Sequence, residues 1–133
     1  MTLGTHLTFP GTCEAAFRFY ERVLDGKIGL LQTYGESPGG ELVAPEWRGK
    51  IIHASITVDG RELAGADLRP EEYEKPRGFF LLLGIAGVPK AERVFQALAE
   101  NGVVHMPLQK TFWSPAFGVV VDSFGVPWEI NGS

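Results

Sequence analysis

Apolar residues recur along this chain with two periods. Residues 5–9 (THLTF), 51–58 (IIHASITV) and 79–85 (FFLLLGI) carry the extended, β-branched and aromatic-rich pattern of strands. Ala16, Phe19, Tyr20 and Val23 fall at i, i+3, i+4 and i+7, which predicts a helix over 13–24. Thr12 is its N-cap candidate, and Gly26 suits the left-handed position after its end. Ala91, Val94, Phe95 and Leu98 repeat the stripe in a second helix, with Pro89 in its first turn and Asn101-Gly102 at its end. Further strands are predicted at 27–34, 61–67, 103–107, 117–121 and 126–130. Asp59-Gly60 is a two-residue hairpin signal, and Asp122-Ser123-Phe124-Gly125 is a second turn. Alternation in the last strand puts Val126, Trp128 and Ile130 on one face and Pro127 and Glu129 on the other. Residues 35–49, rich in Gly and Pro around Trp47, read as a surface loop or flap, and 69–77 as a connector.

The two helical stripes are offset by a constant 75 positions, and the same offset carries Thr5 and His6 to Phe80 and Leu81. Each half then reads strand, helix, strand and a hairpin whose turn begins with Asp. The fold class is α+β: two βαβββ modules, about 1–70 and about 78–133, in one domain spanning 1–133. Neither sheet can cover both its faces alone, so the modules are expected to form a curved mixed sheet with helices on the outer face. Its concave side is the natural pocket.

Composition narrows the function classes. The chain has 133 residues, 44% hydrophobic and 21% charged, as in an ordinary globular domain. A net charge of −4 with scattered Lys and Arg argues against a nucleic-acid partner. The single cysteine, Cys13, excludes an intrachain disulfide and a thiolate metal cluster. Neither a signal peptide nor a membrane-length apolar run is present, so a cytoplasmic protein without a membrane partner is expected. No phosphate-binding glycine loop, HExxH or Ser-His-Asp signature occurs.

Three stretches, HLTFPGTCEAAFRFYERVLDG, KIIHASITVDG and MPLQKTFWSPAFGVVVDSFGVPWEIN, together with the repeat, resemble the glyoxalase/bleomycin-resistance/extradiol-dioxygenase (vicinal oxygen chelate) superfamily. The TFW and DSFGVPWEI text looks most like its PhnB-like branch, some members of which are labelled 3-demethylubiquinone methyltransferase-like. The resemblance covers nearly the whole chain. It implies a homodimer with a small-molecule pocket. It also implies up to four metal-ligand positions, one on the first and one on the last strand of each module. Glu129, four residues after Gly125, matches the last-strand glutamate; its counterpart four after Gly60 is Ala64. The first-strand position falls on Thr5 in an ungapped match and on His6 with a one-residue slip. Its second-module equivalent is Phe80 or Leu81. At best His6 and Glu129 survive, so no metal site is assigned and no cofactor is expected, with a divalent metal as the alternative.

The expected function is therefore small-molecule binding, with catalysis left open. Glu129 and His6 are the candidates for any catalytic chemistry, and His53, Gln109, Trp113 and Phe80 for contacts with the ligand. The alternative is a metal-dependent lyase, isomerase or dioxygenase using His6 and Glu129, with help from His53, His105 or a second chain. Methyl transfer rests on the family label alone, and a phosphonate role is weakened by the lack of a visible basic anion pocket. Each candidate also has a plain structural reading: Glu129 a solvated carboxylate, His6 and His53 strand histidines bonded to backbone, His105 an exposed residue, Trp113 a core aromatic. Trp128 is expected to pack between helix and sheet. Cys13 sits at a helix N-terminus, where the dipole would lower its pKa, but no partnering base follows it.

Overall fold

The computed structural model describes residues 1–133, which form two compact units, Met1–Tyr73 and Glu74–Ser133. The first contains β1 (Thr5–Phe9), α1 (Cys13–Val23), β2 (Lys27–Thr33), β3 (Ile51–Val58) and β4 (Arg61–Asp67). The second repeats this order with β5 (Leu81–Ile85), α2 (Val88–Ala99), β6 (Val103–Gln109), β7 (Ala116–Val121) and β8 (Pro127–Gly132). Each is a βαβββ module with its own four-stranded mixed sheet, ordered β1-β4-β3-β2 and β5-β8-β7-β6. In each sheet the first strand pairs parallel to the last and the other neighbours are antiparallel. No helix is long and apolar enough to cross a membrane.

The hairpin signals act where they were expected. Asp59 and Gly60 both have positive φ, 48° and 76°, as a two-residue turn between β3 and β4 requires. In the other turn the buried Asp122 carboxylate accepts from Phe124 N and Val126 N at 2.9 and 3.0 Å. Its second oxygen accepts from Trp128 Nε1 at 2.9 Å, so one side chain fixes both the turn and the orientation of the indole. Val126, Trp128 and Ile130 are buried on the face toward α2, as alternation requires.

The α2 stripe buries as read, through Ala91, Val94, Phe95 and Leu98. The α1 stripe is rotated: Cys13, Ala16, Phe17 and Tyr20 are buried, while Phe19 and Val23 are only half-buried. The cause lies on β4. A Cβ at Gly65 would stand 2.6 Å from Phe17 Cζ, so the missing side chain is what admits the Phe17 ring to the sheet.

The start of α1 also differs from expectation. Thr12 makes no side-chain cap. Asp67, at the end of β4 and 1% exposed, takes that role. Its Oδ1 accepts from Gly11 N at 3.1 Å and Cys13 N at 2.9 Å, and its Oδ2 accepts from Ile51 N at 2.9 Å. A full carboxylate at a helix N-terminus satisfies free N–H groups and complements the dipole at once.

Cys13 is fully buried beside this carboxylate. Burial, followed by the Asp67 and Glu14 charges, pushes its thiol up to about 12 from an ordinary value of 9.0. Desolvation and two carboxylates thus outweigh the helix dipole, and the thiol is not a nucleophile. Because the folded chain holds this proton more tightly than the unfolded one, the stabilising contribution is complete below about pH 9 and falls as pH rises toward 12. Native protein at pH 8 is expected to leave a disulfide reagent such as dithionitrobenzoate unreacted, with one thiol per chain released in urea. Rapid native reaction would contradict this placement.

Residues 35–49 are built of turns rather than open coil. Two single-turn 3₁₀ helices, Gly40–Leu42 and Pro45–Trp47, are tied by Arg48, which donates from Nε to Val43 O and from Nη2 to Glu41 O at 2.8 and 2.9 Å. Trp47 is 9% exposed and carries the Arg69 guanidinium over its ring at 5.1 Å.

Candidate functional site

The strand register settles which face each candidate occupies. Residues paired across a sheet share a face. His6, Ala64, Ser55 and Leu30 form one row across the first sheet. Leu82, Glu129, Val119 and Met106 form the corresponding row across the second. Both rows lie on the face opposite the helix, since Gly65 and Gly118, one residue from Ala64 and Val119, meet Phe17 and Phe95.

The rows show which residues share a face with Ala64 and Glu129, the two last-strand positions that the resemblance singles out. His6, rather than Thr5, is the β1 residue paired with Ala64, and Leu82, rather than Leu81, is the β5 residue paired with Glu129. The sequence offset slips because β5 begins only at Leu81, leaving Phe79 and Phe80 ahead of it. The four positions hold His6, Ala64, Leu82 and Glu129, and the alanine and leucine carry no donor atom. No three His, Cys, Asp or Glu side chains converge within either unit. This donor set does not fit a metal centre of the superfamily type.

What the second unit does hold is a cavity of about 700 Å³. Val119, Val121 and Pro127 line it from the sheet, and Phe79, Phe80 and His105 add aromatic walls. The 74–78 segment, carrying Glu74, Lys75 and Arg77, completes the lining. Alternation on β7 and β8 puts Val119, Val121 and Pro127 on the Glu129 face. Glu129 stands directly opposite Val119, with the two Cβ atoms about 5 Å apart, and is half-buried. A carboxylate therefore borders an apolar floor. Such a floor can hold a hydrophobic or aromatic body, with charged groups at its edge to orient it.

The other candidates are distributed unevenly. Phe80 lines the cavity and is 45% exposed. His105, read as an exposed strand-end residue, is exposed and is also part of the lining. Trp113 is 53% exposed, so it is not a core aromatic. Its ring packs edge-on against Phe112 and Phe117 at centroid distances of 4.7 and 5.3 Å. Phe117 lies two residues along β7 from Val119 on the same face, so Trp113 caps the far end of that surface. Gln109 is exposed at the end of β6, where its Nε2 donates to Pro107 O at 3.0 Å. His6 and His53 belong to the first unit, both on the open face of its sheet. A smaller cleft of about 270 Å³ in that unit lies between Tyr34, Trp47 and Arg69 and includes none of the candidates.

Sequence reading missed Val119, Val121 and Pro127, although their alternation with Glu129 was the available signal. It also missed Lys75 and Arg77, which looked like scattered charge in a connector.

The chain matches the family described as 3-demethylubiquinone-9 3-methyltransferase over residues 2–131. It is 34% identical over 139 residues to Protein YjdN of Escherichia coli K12, covering 98% of this chain and 95% of that relative. The crystal structure of protein PA1353 from Pseudomonas aeruginosa is similar at 36% identity and a TM-score of 0.90, over 100% of this chain and 98% of that one. The PhnB protein from Bacillus cereus is similar at 27% identity and a TM-score of 0.85, over 100% of both chains. A glyoxylase/bleomycin resistance protein/dioxygenase domain from Frankia sp. EAN1pec, 12% identical with a TM-score of 0.60 over 100% of this chain and 97% of that one, shares the fold alone.

Proposed function

The chain belongs to the 3-demethylubiquinone-9 3-methyltransferase family, the PhnB-like group with the glyoxalase/bleomycin-resistance fold, and from that premise we propose that it is a small-molecule-binding protein. The observation that carries this reading is the cavity floored by Val119, Val121 and Pro127 and walled by Phe80. Its volume, about 700 Å³, is in the range of ordinary ligand pockets. The ligand would place an apolar or aromatic part on this floor, with Glu129 at the border. Binding of this kind, as in sequestration, needs no catalytic residue and no cofactor. A cytoplasmic homodimer is the assembly we infer from the family.

The family label names methyl transfer. Neither module is a doubly wound parallel sheet with a glycine-rich first turn, the arrangement that commonly holds a methyl donor, so the geometry lends that activity no support. The metal-dependent reading keeps one argument, that His6 and Glu129 match two of the four positions the superfamily resemblance implies and each lies on its own sheet's open face.

One titration separates the readings. N-phenyl-1-naphthylamine, a neutral fluorophore, is expected to bind saturably at about one site per chain, with the same affinity before and after EDTA. Elemental analysis of protein purified without affinity metal should find no stoichiometric metal. Loss of binding in EDTA, or a clear upward melting shift with Ni²⁺, Zn²⁺, Mn²⁺ or Fe²⁺, would favour the metal-dependent reading.

A further inference from the structure

We propose that the cavity of the second unit selects amphiphilic organic anions, whose headgroup is an oxyanion held by Lys75 and Arg77 and whose apolar or aromatic body lies on the Val119–Val121–Pro127 floor. The proposal rests on the small-molecule reading above and adds the ligand's charge.

The charges around the cavity are unequal. Lys75 and Arg77 face a single lining carboxylate, Glu74, and the His105 imidazole adds a further polar group to the lining. Neither Lys75 nor Arg77 forms an ion pair or a side-chain hydrogen bond within the protein, unlike Arg18, which pairs with Glu14 at 3.0 Å in the other unit. Both cations are exposed, so their donors are available without breaking an existing contact. Their backbone is also restrained. Pro76 fixes φ between them, and Gly78, at φ +84°, turns the chain toward Phe79 and Phe80 in a conformation that favours glycine. A planar guanidinium and an ammonium two residues apart, beside two aromatic walls, match an oxyanion joined to an apolar body better than a neutral or cationic ligand. Glu129 lies across the sheet from the floor residue Val119, outside the lining. A headgroup at the 74–78 rim avoids it.

The test compares two probes with one aromatic framework: 8-anilino-1-naphthalenesulfonate, which is anionic, and N-phenyl-1-naphthylamine, which is neutral. The readout is the ratio of their affinities, so the intrinsic difference between the probes cancels. In the Lys75→Gln/Arg77→Gln double variant the ratio should shift about tenfold against the sulfonate, while the neutral probe keeps its affinity. Raising salt should shift the wild-type ratio the same way. Arg93→Gln, on the exposed side of α2, should leave it unchanged. 1-Naphthoate should displace the sulfonate probe, whereas inorganic phosphate at equal concentration should not. An unchanged ratio in the double variant, an equal shift in Arg93→Gln, or displacement by phosphate alone would overturn the proposal and leave the small-molecule reading standing. Failure of both probes to bind would overturn both.

Discussion

Replacing Asp67 by alanine should remove on the order of 3 kcal/mol of stability, read as a lower urea midpoint with an unchanged slope. The size follows from what the carboxylate holds. Gly11 N, Cys13 N and Ile51 N all donate to it at 2.9–3.1 Å, and the residue is 1% exposed. Alanine would leave these donors without an acceptor, two of the bonds being fully buried. An unmet buried donor costs about 1–3 kcal/mol, and the three are coupled through one group, so their costs do not simply add. Asp67→Asn should recover part of the loss: its oxygen can serve one side, but its amide would face a backbone N–H on the other. A loss below about 1 kcal/mol for Asp67→Ala would mean that α1 is anchored by its apolar face alone.

The second large effect concerns the cavity. Val121→Glu should weaken binding of N-phenyl-1-naphthylamine by about 3 kcal/mol, on the order of a hundredfold, while changing folding stability by less than about 1 kcal/mol. Val121 is half-buried on the open face at the end of β7, opposite Pro127. In the free protein the new carboxylate can reach water. Under a bound aromatic ring it cannot, so the desolvation cost falls on the complex alone. Unchanged affinity, measured by fluorescence titration beside a urea melt of the same variant, would place the ligand elsewhere.

Local chemistry explains why much of this fold could be read from the sequence. The Asp59-Gly60 turn, the alternation of Val126, Trp128 and Ile130, and the α2 stripe depend on neighbours a few residues away. The misreadings of α1 and of the strand register depend on distant partners. α1 is rotated because Gly65 admits Phe17, and its cap comes from Asp67, 54 residues beyond Cys13. The helical offset could not locate His6 opposite Ala64, because strand register follows pairing across the sheet and a slip of one residue reverses the face. Of the cavity lining, Phe80 was singled out from the sequence, and Glu129, opposite the lining residue Val119, from its motif. Lys75 and Arg77 were not, because only folding sets the connector against β7 and β8.

Under the proposed function, a small molecule binds in the second unit's cavity. Backbone and methyl NMR spectra recorded during titration with N-phenyl-1-naphthylamine test it most directly. The largest saturable shifts are expected at Phe80, His105, Val119 and Val121, with Leu7, Ala54 and Ile56 of the first unit's helix-facing core unmoved. Saturable shifts confined to residues outside the cavity, or no saturation at all, would contradict it.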